Sequence, residues 1–339
     1  MEIRLYIFGI RHHYVGMLQP DSSTSRQSSS PRTTSMAPSL TIMSIGLIVG
    51  VSFALTKIAA LAGISAIAAL FWSLALAGII LLGVLAVRGE RLNHDWAHLR
   101  YYLFAGLLGV TGPNFIAFTV LAHVPAGLFT ALVMLSPLAT VAVSAVLDRA
   151  LPDGRRSLGI LTGLAGLMLT ILVGAEIGDF DARWLIIALA APLLLACGNI
   201  YRNRAYPAGS KPIGLAAGML VSQAIIWWGL VLATGETYSP IGLSGPEDRA
   251  LFAIGALSAV SYILTFAVQR RTDGVGFSQV GYFATLSGIA CGAILFGETL
   301  SWSLAVSLAL ILLGLGITNG HLRFPGRRAG GNRPGSGMQ

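Results

Sequence analysis

The sequence predicts an all-α integral membrane protein, with ten transmembrane helices arranged as two inverted five-helix repeats. Three observations carry that reading. Hydrophobic residues make up 55% of the 339 residues, charged residues only 11%, and the mean hydropathy is +0.75. A soluble fold needs roughly twice that charged fraction to cover its surface. The apolar residues lie in long runs rather than the short alternating strands of a membrane β-barrel. Finally, the chain matches itself at a constant offset of 148 residues.

The spans follow in order from charge-free runs, since one crossing needs about 20 apolar residues. Such runs cover 58–87, 101–147, 157–175, 184–201, 212–235, 250–269, 274–297 and 299–322. The first extends back through Lys57 to about Leu40 and is divided at Gly63. The run from 101 to 147 is too long for one helix and is broken at Ala122-His123-Val124-Pro125. Helices are therefore expected near 41–62, 65–87, 101–121, 125–147, 157–174, 184–203, 213–234, 250–269, 275–296 and 302–320. Small residues crowd the first and fifth of these, around Gly46 to Ser52 and Gly159 to Gly166, where they let helices approach closely in lipid.

The net charge of +8 is spread singly or in twos and threes between the apolar runs, which speaks for topology and against nucleic-acid binding. With a cytoplasmic N-terminus, 19 of the 22 basic residues fall in inside segments and only Arg183 and Arg249 fall outside. Both termini are thus expected in the cytoplasm, and a bacterial inner membrane is the expected location. Residues 1–40 read as a disordered extension, rich in Ser, Thr, Arg and Pro from Gln19 to Ser35, with Met36 or Met43 as alternative starts. Residues 321–339 read as a flexible cytoplasmic tail. Between them lie the two repeats, 41–174 and 184–320. Leu103-Phe104-Ala105 matches Leu251-Phe252-Ala253, Phe118 matches Phe266, Phe129 matches Phe277 and Gly166-Leu167 matches Gly314-Leu315. An odd number of helices per repeat inverts the second copy, an architecture of alternating-access carriers.

Several motifs then become recognisable. Val124-Pro125-Ala126-Gly127, Leu135-Ser136-Pro137-Leu138, Leu158-Gly159 and Gly163 to Gly166 resemble the first repeat of the EamA-type family of the drug/metabolite transporter superfamily. Leu295-Phe296-Gly297-Glu298-Thr299-Leu300 resembles that family's Leu-Gly-Glu-x-Leu motif between its last two helices, and Phe53 to Lys57 its first-helix segment. The likeness covers roughly residues 43–320. Two departures stand out: Ala150 where the first repeat usually carries glutamate, and Thr285 where the second usually carries proline. The resemblance implies a secondary carrier for a small organic metabolite, more usually an exporter.

Residues that could carry such chemistry are few. Pro113 withholds a donor from the carbonyl of Gly109 and must kink or open the third helix beside Asn114. Pro137, next to Ser136, and Pro192 are similar breaks. Broken backbone at mid-membrane is a pointer to a carrier site. The repeat offset sets Tyr262 opposite Asn114 and Tyr282 opposite Met134. With Asn199, Tyr201, Gln279 and Trp72 they form a candidate polar-aromatic lining suited to an organic solute. Each also fits a packing role. Lys57 is the one ammonium within a span, either substrate-binding or snorkelling to the interface. His123 and Glu298 are the candidate coupling groups, Glu298 also fitting the N-terminal dipole of the last helix. No Asp or Glu lies well inside any span, so facilitated diffusion or exchange is expected ahead of proton antiport.

No catalytic set, metal cluster or nucleotide-binding loop is present, so an enzyme is not expected, nor any cofactor or metal. His94 and His98 stand at i, i+4 but lack further ligands. The expected partners are a small-molecule substrate and the lipid bilayer, with no nucleic acid, and the chain as monomer or homodimer. The alternatives are a sugar-phosphate or nucleotide-sugar exchanger, which would want several cations facing its cavity, a lipid-modifying membrane enzyme and a non-transporting scaffold.

Overall fold

The computed structural model describes residues 36–150, 152–177, 181–240, 245–269, 280–298 and 302–319. Gln279 and the two terminal segments lie outside them. The regular structure of the described residues is helical: α1 (Met36–Leu61), α2 (Ala66–Val87), α3 (Trp96–Val120), α4 (Ala126–Asp148), α5 (Gly154–Ile177), α6 (Arg183–Arg204), α7 (Pro212–Thr234), α8 (Pro246–Gln269), α9 (Val280–Phe296) and α10 (Trp302–Asn319). Each begins and ends within five residues of a span read from the sequence. Seven of them, α1–α4 and α6–α8, are long and apolar enough to cross a membrane; Val280–Phe296 and Leu304–Thr318 are shorter apolar helices. The outward face is apolar, with Ile79, Leu161, Ile186, Ile225, Trp228 and Ile294 all exposed. Water would not tolerate such a belt, and lipid requires it. The chain is a multi-pass membrane protein.

Helix ends follow local chemistry. Gly63 takes a left-handed φ of 78° after α1, and the Ser65 hydroxyl accepts the Ala68 N–H at 3.2 Å to cap α2. Asp181 caps α6 through the Arg183 N–H at 2.9 Å, and Pro212 stands at the start of α7, where its missing N–H costs nothing.

The main partners of every helix lie in the other half of the chain. α1 packs on α8 and α9, α2 on α7 and α8, α3 on α6 and α7, α4 on α6 and α9, and α5 on α10. Glycines permit this interleaving: Gly46 and Gly50 of α1 press on α9, and Gly159 and Gly163 of α5 on Gly314 of α10. Two apolar clusters result. One joins α2, α3, α7 and α8 around Leu70, Leu81, Tyr101 and Met219. The other joins α4, α6, α10 and the end of α3 around Phe129, Leu132, Leu185 and Ile311.

Three helices are interrupted near the bundle centre, each about four residues before a proline. In α3, Leu107–Thr111 form a π-helical turn around Gly109, the residue whose carbonyl Pro113 cannot reach. In α4 the helix stops at Val133 and resumes at Ser136, before Pro137. In α6 it stops at Ala188 and resumes at Ala190, before Pro192.

Candidate functional site

Between the two clusters lies a cavity of about 170 Å³, on the order of ten times the room one water needs. Six helices contribute most of its wall. α1 gives Ser52, Phe53 and Thr56, α2 gives Ser73, and α3 gives Gly109, Pro113, Asn114 and Phe118. α4 gives Phe129 and Val133, α6 gives Ala191 and Leu195, and α8 gives Ser258, Ser261 and Tyr262. The polar groups of this lining are hydroxyls and one amide, and among the described residues no charged side chain belongs to it. Such a wall can orient an organic solute by a few hydrogen bonds between aromatic surfaces.

The broken segment of α3 is fixed from two sides. The Asn114 Nδ2 donates to the Val110 carbonyl at 2.9 Å, supplying a partner within the π-helical turn. Behind it, Gln223 of α7 is fully buried. It accepts from the Thr111 hydroxyl at 2.9 Å and donates to the Leu103 carbonyl at 3.1 Å. The sequence reading passed over Gln223; a polar amide in the middle of an apolar run was the available signal.

Of the residues singled out from the sequence, Pro113, Asn114 and Tyr262 stand together on this wall. Of the other described ones, none joins them. Trp72 donates from Nε1 to the Tyr238 carbonyl at 2.7 Å and so ties down the segment between α7 and α8. In that segment the Tyr238 hydroxyl donates to Asp248, a bond that pushes the phenol up to about 12. Ser136 is buried at the α4 break, where its carbonyl accepts from Thr140 at 2.8 Å. Tyr201 is packed between Tyr101 and Phe104, and Tyr282 packs on the cluster around α4. Asn199 accepts from Arg202 Nη2 at 2.5 Å. His123 is exposed and stacks on Trp184, with centroids 3.8 Å apart.

Lys57 and Glu298, read separately from the sequence, form one unit. The Lys57 ammonium donates to Glu298 Oε1 at 2.6 Å and to the Val124 carbonyl at 3.3 Å, and lies 4.9 Å from the centre of the Phe296 ring. The carboxylate also accepts the N–H groups of Ala126 at 2.7 Å and Gly127 at 3.1 Å. Glu298 therefore caps the N-terminus of α4, where both free N–H groups and the helix dipole favour an anion. Gly297, with φ of 65°, turns the chain back after α9, and Gly292 leaves the room: a Cβ there would meet Glu298 Oε2 at 2.4 Å. At the other end of α4, Arg204 Nη2 donates to Asp148 Oδ1 at 2.6 Å. The two ion pairs are separated by the length of α4, roughly 33 Å at 1.5 Å per residue.

His98 is buried, bonds Ser210 at 2.8 Å and pairs with Asp95. Among the described residues no group of three metal-ligating side chains is found.

Residues 36–172 match the EamA-like transporter family, in agreement with the resemblance carried by the sequence motifs. Over 245 residues the chain is 24% identical to "Uncharacterized transporter YvbV" of Bacillus subtilis (strain 168), covering 71% of this chain and 77% of that protein. Over 205 residues it is 22% identical to a "Probable amino-acid metabolite efflux pump" of Salmonella typhimurium, covering 56% of this chain and 66% of that one. A solved crystal structure shares the fold with a TM-score of 0.56 at 19% identity, over 83% of this chain and 96% of its own.

Proposed function

From the EamA-like match over residues 36–172, we propose that this chain is a secondary carrier that exports a small organic metabolite by alternating access. The observation that carries the proposal is the uncharged cavity at the broken centres of α3 and α4, with an ion pair at each end of α4. A carrier needs a solute site at mid-membrane and a means of closing either side of it. The names of the two relatives, a transporter and an amino-acid metabolite efflux pump, agree with transport and with efflux.

The reading includes ten spans in two inverted halves, α1–α5 and α6–α10. Helix packing supports it. Exchanging each helix with the one five later turns the α1–α9 contact into α6–α4, α1–α8 into α6–α3, and α2–α8 into α7–α3, all of which occur. The offset of 148 that pairs Asn114 with Tyr262 puts both on the cavity wall. With both termini cytoplasmic, as the arginine distribution favours, Lys57–Glu298 closes the outer side and Arg204–Asp148 lies on the cytoplasmic side.

Movement follows the solute gradient, by facilitated diffusion or exchange. The described cavity wall holds no titratable acid or base other than a tyrosine, and Glu298 is already committed to an ammonium and two backbone N–H groups. The test is flux of a metabolite panel in proteoliposomes containing the full chain, against protein-free vesicles, with and without an imposed pH gradient at clamped membrane potential. Selective flux that a pH gradient does not make concentrative is the expected result. Concentrative transport driven by the pH gradient would overturn the coupling, and no flux of any solute would overturn the carrier.

A further inference from the structure

Arg202, which the sequence assigns only to the cytoplasmic ends of the helices, does not point away into water. Its Nη2 is held by Asn199 at 2.5 Å, one turn back on α6. Its Nε is buried and has no hydrogen-bond partner. The guanidinium lies against the π-helical turn of α3. A Cβ at Gly109 would stand 3.4 Å from both Cζ and Nε, so the planar group lies within van der Waals reach of the turn. Gly198, on the same face of α6, touches Gly109 itself and brings the two helices together at this point. Gly109, Val110 and Tyr262 belong to the cavity wall, and the Arg202 charge lies within electrostatic reach of Tyr262. Among the described residues no carboxylate pairs with Arg202.

A partly buried guanidinium with an unused Nε–H beside an otherwise uncharged cavity is an incomplete ion pair. Burying a cation is costly unless an anion completes it. Nε–H is unused and Nη2 keeps a second N–H besides the one given to Asn199, so this edge can offer two donors to a carboxylate's oxygens. We propose that Arg202, oriented by Asn199 and lying against Gly109 of the cavity wall, recognises a carboxylate on the transported solute from the cytoplasmic side of the cavity. This rests on the carrier reading and names its substrate class. One guanidinium matches a singly charged carboxylate; a phosphate monoester, carrying nearly two charges, would want a second cation.

The test uses purified full-length protein in proteoliposomes and matched probes: radiolabelled neutral amino acids, their carboxamides, and the corresponding amino-alcohol phosphate esters. Wild type should move at least one acid, roughly tenfold to a hundredfold faster than its amide, the range expected for a charge-assisted contact. Arg202→Gln should bring that ratio close to one, while Arg202→Lys, which keeps the charge without the fork, should retain part of it. Vesicle incorporation and the rate for the amide report folding independently of the ratio. An unchanged acid-to-amide ratio in Arg202→Gln, an equal loss of both rates, or a preference for the phosphate ester in wild type would each overturn the assignment while leaving the carrier intact. Flux of other metabolites by wild type with none of these acids moved would overturn the assignment alone, and no flux of any solute would remove the carrier reading with it.

Discussion

The ion pairs at the two ends of α4 occupy nearly equivalent places but differ in kind. Shifting Lys57 and Glu298 by 148 residues leads to Ala205 and Ala150, one and two positions from Arg204 and Asp148. Both pairs thus join the end of the first helix of one half to a carboxylate that follows or ends the fourth helix of a half. Yet the Lys57 and Glu298 side chains are 11% and 15% exposed, those of Arg204 and Asp148 26% and 51%. The first is desolvated, multiply hydrogen-bonded and capped by a ring; the second is a surface bridge screened by water and salt. One end of α4 is held by chemistry that fails badly when half of it is removed. The other is held by chemistry that hardly registers its own loss.

The largest expected effect breaks the buried side of this comparison. Glu298→Ala leaves an ammonium and two N–H groups without their partner and should cost about 3–5 kcal/mol. It should lower the melting point of the detergent-solubilised protein by several degrees. Asp148→Ala should cost no more than about 1 kcal/mol. Equal losses in the two variants would mean that burial does not distinguish the pairs. A double-mutant cycle with Lys57→Met sharpens the point, since removing both charges should recover much of what Glu298→Ala loses.

A smaller effect is expected between the two ends. Asn114→Leu removes the donor to the Val110 carbonyl and the amide that faces the cavity side, at about 1–3 kcal/mol for the unmet carbonyl. Flux should fall at least tenfold, on the order of the same free energy, while membrane yield holds and the Glu298→Ala penalty stays the same. Unchanged flux would return Asn114 to packing. Smaller again is the salt response: raising ionic strength from about 0.1 to 1 M shortens the screening length from about 10 to 3 Å. That change should narrow the stability difference between wild type and Asp148→Ala but not that between wild type and Glu298→Ala. The smallest is Trp72→Phe, which loses one hydrogen bond to the Tyr238 carbonyl, about 1 kcal/mol, and should leave flux within twofold. A larger loss of flux would place Trp72 in the transport path after all.

The sequence shows depth along a helix well and rotation about it poorly. Helix limits, the proline-linked interruptions at Gly109, Val133 and Ala188, and the small-residue contacts of α1 and α5 follow from charge-free length, missing donors and missing side chains. Which way a residue faces does not follow, because lipid-facing and packed surfaces are equally apolar and leave little one-sided pattern to read. Trp72 is bonded to the Tyr238 carbonyl and Tyr201 is packed among rings rather than on the cavity wall, while its neighbour Arg202 lies against Gly109 of that wall. Lys57 and Glu298 were visible singly. Their pairing spans 241 residues, and nothing local announces it. Ala150, a departure from the family pattern, marks the place where the exposed pair takes over, and only the position of Asp148 beside Arg204 makes that legible.

The π-helical turn at Leu107–Thr111 gives α3 one residue more than a regular helix of its height would hold. Each residue in an α-helix advances the phase by about 100°. The part from Trp96 to Gly106 can therefore present Tyr102 and Ala105 to α7 while the part from Gly112 onward presents Asn114 and Phe118 to the cavity. A straight helix of the same composition could not serve both neighbours at once. Removing a single residue from the turn would keep α3 helical, apolar and long enough to cross the membrane, yet would rotate its second part by more than a quarter turn. The cavity would then face a different set of side chains. The lining of this cavity is thus open to change by deletion, without any substitution in the wall.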